Sequence, residues 1–104
     1  MASLRELRNE VYEEMIEERK IQLERVTQKS RSLKKEVAEL EAEIMFFVAC
    51  GKKDYQECKE MQQERNNKYR EYTTEVDETK ETVRRLNDEI DTLEALKNKA
   101  YQPV

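Results

Sequence analysis

The residues best able to do chemistry in this chain are its two cysteines, Cys50 and Cys58. Their separation does not match the C-x-x-C spacing of redox and zinc motifs, and the sequence contains no histidine that could complete a zinc site. Cys58 falls at an apolar position, where we expect a small core residue, whereas Cys50 is expected to be an exposed thiol. We therefore predict no metal site and no cofactor, and reduced thiols in an intracellular protein.

Neighbouring carboxylates are the other candidates, because paired acids can act as general acid and base. The pairs Glu13–Glu14 and Glu17–Glu18 lie in a strongly helical segment, where we expect a solvated surface with no cleft to exclude water. The sequence also lacks a glycine-rich phosphate loop and a nucleophile next to a base. We predict no catalytic residues, and hence that the protein is not an enzyme.

An apolar run at residues 44–49 points instead to protein binding. Ile44 and Phe47 fall on the apolar seam described below, whereas Met45 and Phe46 point away from it. A helix that is apolar around most of its circumference is normally covered, and an exposed apolar patch often marks an interface. The residues that we predict to bind a partner are Met45, Phe46, Val48 and Cys50.

A basic cluster is the only feature that resembles a nucleic-acid site. It consists of Lys29, Arg31, Lys34 and Lys35. Nucleic-acid-binding domains normally carry a basic face, but this chain has a net charge of −4 with both signs interspersed. We expect the cluster to be a solvated helix face, so nucleic acid is a disfavoured partner.

Composition and spacing predict the elements that hold these residues. Charged residues make up 42% of the chain and there is one glycine and one proline, which is typical of a coiled coil or long helix. We predict helices over about 3–49 and 54–101, opened by the capping-box pairs Ser3–Glu6 and Asp54–Glu57. Apolar residues alternate every three and four positions in both. This seam comprises Tyr12, Ile16, Arg19, Leu23, Val26, Ser30, Leu33, Val37, Leu40, Ile44 and Phe47, then Tyr55, Cys58, Gln62, Arg65, Tyr69, Tyr72, Val76, Thr79, Val83, Leu86, Ile90, Leu93, Lys97 and Ala100.

Gly51, the only glycine, suits the left-handed position just after a helix end, which predicts a turn over about 50–54. Reversal there would pair each seam residue with one in the second helix, such as Ile44 with Cys58 and Ile16 with Leu86. It would also place opposite charges side by side outside the seam. The predicted flanking pairs are Glu36 with Lys68, Lys29 with Glu75 and Glu41 with Lys59, with Lys20 beside Lys80 as a mismatch.

The predicted fold is therefore all-α: a long antiparallel coiled-coil hairpin forming one module over residues 1–104, which associates into a four-helix dimer. The alternative is a single continuous helix in an antiparallel dimer. Polar seam residues can fix the register of such helices, and we assign that role to Arg19, Gln62 and Arg65. Near the C-terminus we expect Tyr101 to pack on Leu4 and Leu7.

These features predict a structural and protein–protein interaction module, a scaffold or adaptor of the kind found in cytoskeletal assemblies. It would self-associate or dock a protein partner through its apolar turn end. The alternatives are a chaperone-type or cofactor-type hairpin that binds a protein client and, less favoured, a nucleic-acid-binding hairpin. The N-terminus carries no signal peptide, and the longest apolar run is too short for a membrane span. We expect a cytoplasmic or nuclear location, no membrane partner, and origin as a segment of a longer chain.

Overall fold

The computed structural model describes residues 1–99. Three predictions lie outside the described residues: the seam position of Ala100, the end of the second helix near residue 101, and the contact of Tyr101 with Leu4 and Leu7.

Two helices, α1 (Leu4–Ala49) and α2 (Gln56–Asn98), pack as an antiparallel hairpin. Ion pairs join them both near the turn, between Glu41 and Arg65, and far from it, between Glu13 and Lys97. The chain therefore reverses after Ala49, which confirms the predicted hairpin and excludes a helix that runs straight through. The hairpin consists of two compact units, one with residues 1–27 and 80–99 and the other with residues 28–79.

Both ends of α1 are capped at the residues that the sequence predicts, and at Ser3 the structure shows one of the two bonds of a capping box. At the N-terminus the Ser3 hydroxyl accepts a hydrogen bond of 3.2 Å from the Glu6 amide. At the C-terminus Gly51 has a φ of 75°. Its amide donates to the Val48 carbonyl at 3.0 Å, and the Lys52 amide donates to the Phe47 carbonyl at 2.8 Å. These two bonds form a Schellman motif, which satisfies carbonyls that the helix itself leaves unpaired.

Helix α2 starts later than predicted. The Tyr55 carbonyl accepts the first helical hydrogen bond, from the Lys59 amide, so Tyr55 and not Asp54 precedes the helix. The reason lies in the turn. Closing the Schellman motif uses the backbone up to Lys52, and the Lys52 carbonyl then accepts from the Tyr55 amide at 3.1 Å to reverse the chain. Helical geometry can resume only after that second bond.

Within residues 1–99 the buried side chains all belong to the predicted seam. They are Ile16, Leu33, Ile44, Cys58, Leu86, Ile90 and Leu93. Burial of one stripe on each helix is how a chain with so few apolar residues excludes water from the contact. The three-and-four spacing thus predicted correctly which faces of α1 and α2 meet.

In the unit of residues 1–27 and 80–99 the partners differ from those predicted. Ile16 clusters with Ile90 and Leu93, which lie one and two turns beyond the expected Leu86. Side chains point toward the N-terminus of their own helix, and in an antiparallel pair this moves the meeting residues further along α2. The late start of α2 also moves the residue that meets a given α1 residue further along α2. Lys20 consequently avoids the predicted Lys80 mismatch and lies 3.8 Å from the Glu94 carboxylate.

In the unit of residues 28–79 two of the three predicted charge pairs form. Lys68 lies 3.2 Å from the Glu36 carboxylate, and Lys29 lies 3.7 Å from that of Glu75. The third prediction is wrong, because Glu41 pairs with Arg65 at 3.0 Å and not with Lys59. As in the other unit, the partner on α2 lies further along the helix than the sequence indicated.

Candidate functional site

The turn end of the hairpin carries an uncovered apolar surface, the tip patch, made of Met45, Phe46, Val48 and Tyr55. All four are exposed, and the exposed fractions are 68% for Phe46, 56% for Met45 and 54% for Tyr55. Isolated exposed apolar residues are common on proteins, but several at one end of a helix pair form a surface that a partner can bury. The predicted partner-binding side chains Met45, Phe46 and Val48 are thus all exposed near the C-terminal end of α1.

The patch stays uncovered because of helix geometry and loop chemistry. Ile44 is buried and Phe47 half-buried in the seam. Since successive residues turn by about 100° around a helix, Met45 and Val48 lie on a different flank, and Phe46 on a further one. The turn that follows offers mainly lysine and aspartate, which have little apolar surface to cover them. One of these lysines, Lys52, holds its ammonium 5.8 Å from the centre of the Tyr55 ring.

The two cysteines divide as the sequence predicts. Cys50 is an exposed free thiol at the edge of the tip patch, and Cys58 is a free thiol that is fully buried. The Cys58 sulfur accepts a 3.6 Å hydrogen bond from the Gln62 side-chain amide. Only the Cys50 sulfur is therefore open to reagents or to a partner.

The polar seam residues keep their charged or polar groups bonded at the side of the contact. Arg65 donates to the Glu41 carboxylate across the hairpin and to the Asn66 side-chain oxygen beside it. Arg19 donates to the Met15 carbonyl at 3.1 Å, and its Nε lies 3.3 Å from a Glu89 oxygen. That Nε is buried, and the angle to Glu89 does not make a hydrogen bond.

The arrangement of Arg19 and Arg65 supports the predicted role in setting register, which stays a prediction. Each arginine lies on the seam and reaches a carboxylate of the opposite helix. A slip of the helices would separate both pairs and leave partly buried charges without partners, which costs more than the loss of an exposed pair. The Gln62 side chain donates to Cys58 of its own helix, so it does not link α2 to α1 as the two arginines do.

Lys68 is the group whose ionisation responds most to the fold. A hydrogen bond from its ammonium to the Glu36 carboxylate, together with the charge of Glu36, raises the Lys68 pKa above its ordinary value. Desolvation acts in the opposite direction but is the smaller effect. Lys68 therefore stays protonated throughout the physiological pH range.

A second surface, the side groove, was not recognised in the sequence. It is a cavity of about 500 Å³ along one side of the helix pair, lined largely by carbon atoms. Tyr69, a predicted seam residue, is 56% exposed, and its ring centre lies 6.4 Å from that of Tyr72. The available signal was the helical spacing of its lining residues on both helices. These are Lys34, Val37, Ala38, Glu41, Arg65, Asn66, Tyr69 and Tyr72.

The remaining candidates lie on exposed surface. The side chains of the basic cluster are exposed, and Lys29 is engaged by Glu75. Glu13 pairs with Lys97, and the neighbouring acids face solvent. Within residues 1–99 no group of three or more potential ligands is arranged to hold a metal ion. The same part of the chain has no helix with the length and apolarity of a membrane span.

No protein-family model matches the chain, and neither a curated protein nor a solved structure shows significant similarity to it.

Proposed function

We propose that this chain is a non-enzymatic interaction module that docks a protein partner through its tip patch. The observation that carries the proposal is the exposure of Phe46 and Met45 on the last turns of α1, beside the exposed Tyr55. Aromatic side chains and methionine are enriched at protein interfaces, and aromatic anchors often dominate the binding energy. Burying apolar surface contributes about 25 cal/mol per Å², so covering these side chains would favour association.

The rest of the turn end supports this role by holding the patch in place. The Schellman bonds at Gly51 fix the end of α1, and the Lys52–Tyr55 bond fixes the start of α2. Ile44 and Cys58, both buried, anchor the two helices just behind the patch. A preorganised surface loses little conformational entropy on binding. The proposed role is thus a coiled-coil scaffold or adaptor in an intracellular assembly, whose partner can include a second copy of the chain.

The test compares two charge insertions on α1. Phe46→Lys places an ammonium in the tip patch, whereas Ile21→Lys makes the same kind of change at an exposed apolar residue far from the turn. Both variants should remain helical. We expect proteins that the wild type retains from a cell extract to be retained by Ile21→Lys and lost by Phe46→Lys. If both variants retain the same proteins as the wild type, the tip patch is not the docking surface.

A chaperone-type role is the second candidate, and Met45 is the observation that favours it. Methionine is flexible and polarizable, so it can adapt to apolar segments of differing shape. Such a client-binding hairpin would slow the aggregation of several unrelated unfolding proteins, and Phe46→Lys would abolish that effect. An adaptor would have no such general effect but would bind a folded partner. Light scattering of a heat-unfolding test protein separates the two roles.

A further inference from the structure

The side groove is a second apolar surface, separate from the tip patch. It is lined by Val37 and Ala38 of α1 and by Tyr72 and the exposed Tyr69 of α2. Ala38 matters because its small side chain lets another helix approach the α1 backbone closely. Grooves of this kind between two helices are where a further helix or helix pair packs.

We propose that the side groove is the interface through which two copies of this chain pair face to face, with their turn ends pointing in opposite directions. The proposal goes beyond the proposed function, because it gives self-association a surface of its own and leaves the tip patches for a different partner. A two-fold interface requires a surface that is complementary to itself. The side groove meets that requirement in the arrangement of its charges.

The charge argument comes from α1. A two-fold axis that crosses α1 between Val37 and Ala38 places Lys34 of each copy beside Glu41 of the other. The groove therefore presents opposite charges at positions that the axis exchanges. A partner helix whose charges are all of one sign would be attracted by either Lys34 or Glu41 and repelled by the other. A second copy satisfies both at once, which is why we favour it over an unrelated helix.

The same axis gives a compatible arrangement on α2. The Glu41–Arg65 ion pair fixes the level at which the two helices face each other. At that level the axis crosses α2 between Lys68 and Tyr69, so Arg65 of each copy lies near Tyr72 of the other. A guanidinium over a tyrosine face is a favourable contact. Both helices of the groove thus find complementary groups in one arrangement, and both tip patches remain free for another partner.

The first test uses two exposed alanines of α1 that lie one turn apart. Ala38→Glu puts a carboxylate in the lining of the groove, and Ala42→Glu makes the same change at a residue that does not line it. Burying an unpaired charge in each copy should weaken the dimer by at least about a hundredfold in sedimentation equilibrium, with Ala42→Glu unchanged. Circular dichroism confirms that both variants stay helical. An unaltered dimer in Ala38→Glu would overturn the groove interface.

The second test exploits the neighbouring lysines Lys34 and Lys35, of which only the first lines the groove. Lys34→Glu should weaken the dimer about tenfold, since two attractive pairs become repulsive, whereas Lys35→Glu should have little effect. Equal weakening by Lys34→Glu and Lys35→Glu would show a general charge effect and reject the assigned pairing.

Orientation is read from the one exposed thiol. A spin label on Cys50 leaves the buried Cys58 unmodified. With the axis between Val37 and Ala38, the two Cys50 residues lie roughly 40 Å apart at a rise of about 1.5 Å per residue. A short distance would reject the opposed arrangement.

The variants also separate this proposal from the tip-patch proposal. If Phe46→Lys dissociates the dimer and Ala38→Glu does not, the chain self-associates but not through the side groove. A wild type that stays monomeric removes self-association altogether and leaves only docking of a different protein at the tip patch.

Discussion

Replacing Gly51 by L-alanine and by D-alanine should shift the stability of the hairpin in opposite directions. Gly51 has a φ of 75°, in the left-handed region that L-residues rarely adopt. A Cβ atom added there would meet nothing within 4 Å. The L-alanine substitution therefore changes only the backbone preference at the turn and creates no clash.

The magnitude follows from that geometry. The left-handed conformation costs an L-residue roughly 1–2 kcal/mol, so L-alanine should lower the free energy of unfolding by about that amount. D-alanine prefers positive φ and restricts the unfolded chain, so it should raise the free energy of unfolding by about 0.4–1 kcal/mol. The two variants have the same composition. Their difference of roughly 2 kcal/mol thus isolates the handedness of the turn.

Cys50 makes the experiment practical, because a synthetic peptide that begins at Cys50 can be ligated to residues 1–49. Urea unfolding followed by far-ultraviolet circular dichroism, at one protein concentration for all variants, gives the free energies. If the L-alanine variant had the same free energy of unfolding as the wild type, the chain would not adopt a left-handed conformation at residue 51. If both alanines destabilised the hairpin equally, the handedness of the turn would not account for the preference for glycine.

Three further perturbations test the packing, the cap and the electrostatics. Leu86 is 1% exposed, so Leu86→Ala should cost about 2–5 kcal/mol in urea unfolding. Leu4→Ala, at a residue 81% exposed, should change the free energy by less than about 0.5 kcal/mol. Ser3→Ala removes the cap on α1 and should cost about 0.5–2 kcal/mol, measured in the same way. Because the Lys68 pKa is raised in the folded state, its contribution is complete below the ordinary value of 10.5 and is lost as the pH rises through the higher folded value. Lys68→Gln should lack that alkaline loss of stability, and an identical pH profile would contradict the role of Glu36.

Periodicity predicted the faces of the helices well. Every buried side chain in the described part of the chain is a seam residue, and Gly51 occupies the left-handed position assigned to it. These features are local, since they depend on spacing within one helix or on the dihedral angles of one residue. The exposure of Phe46 was predictable for the same reason, because its neighbours Ile44 and Phe47 occupy the seam.

The alignment of the two helices along their axes was harder to predict. It depends on the length of the turn and on side-chain direction, and a shift of one turn preserves the seam pattern. Ile16 therefore meets Ile90 and Leu93 where the sequence suggested Leu86. The side groove was hard to predict for a related reason. Tyr69 has seam spacing, yet it is more than half exposed and contributes to an open surface.

The central claim is that the tip patch docks a protein partner, and photo-crosslinking at position 46 tests it most directly. Replacing Phe46 with the photoreactive amino acid p-benzoylphenylalanine keeps an aromatic side chain in the patch, and the same replacement at Ile21 serves as the control. Irradiation of cells that express the protein should give a discrete crosslinked adduct from position 46 and none from position 21. No adduct at position 46, or the same adduct at both positions, would contradict the claim.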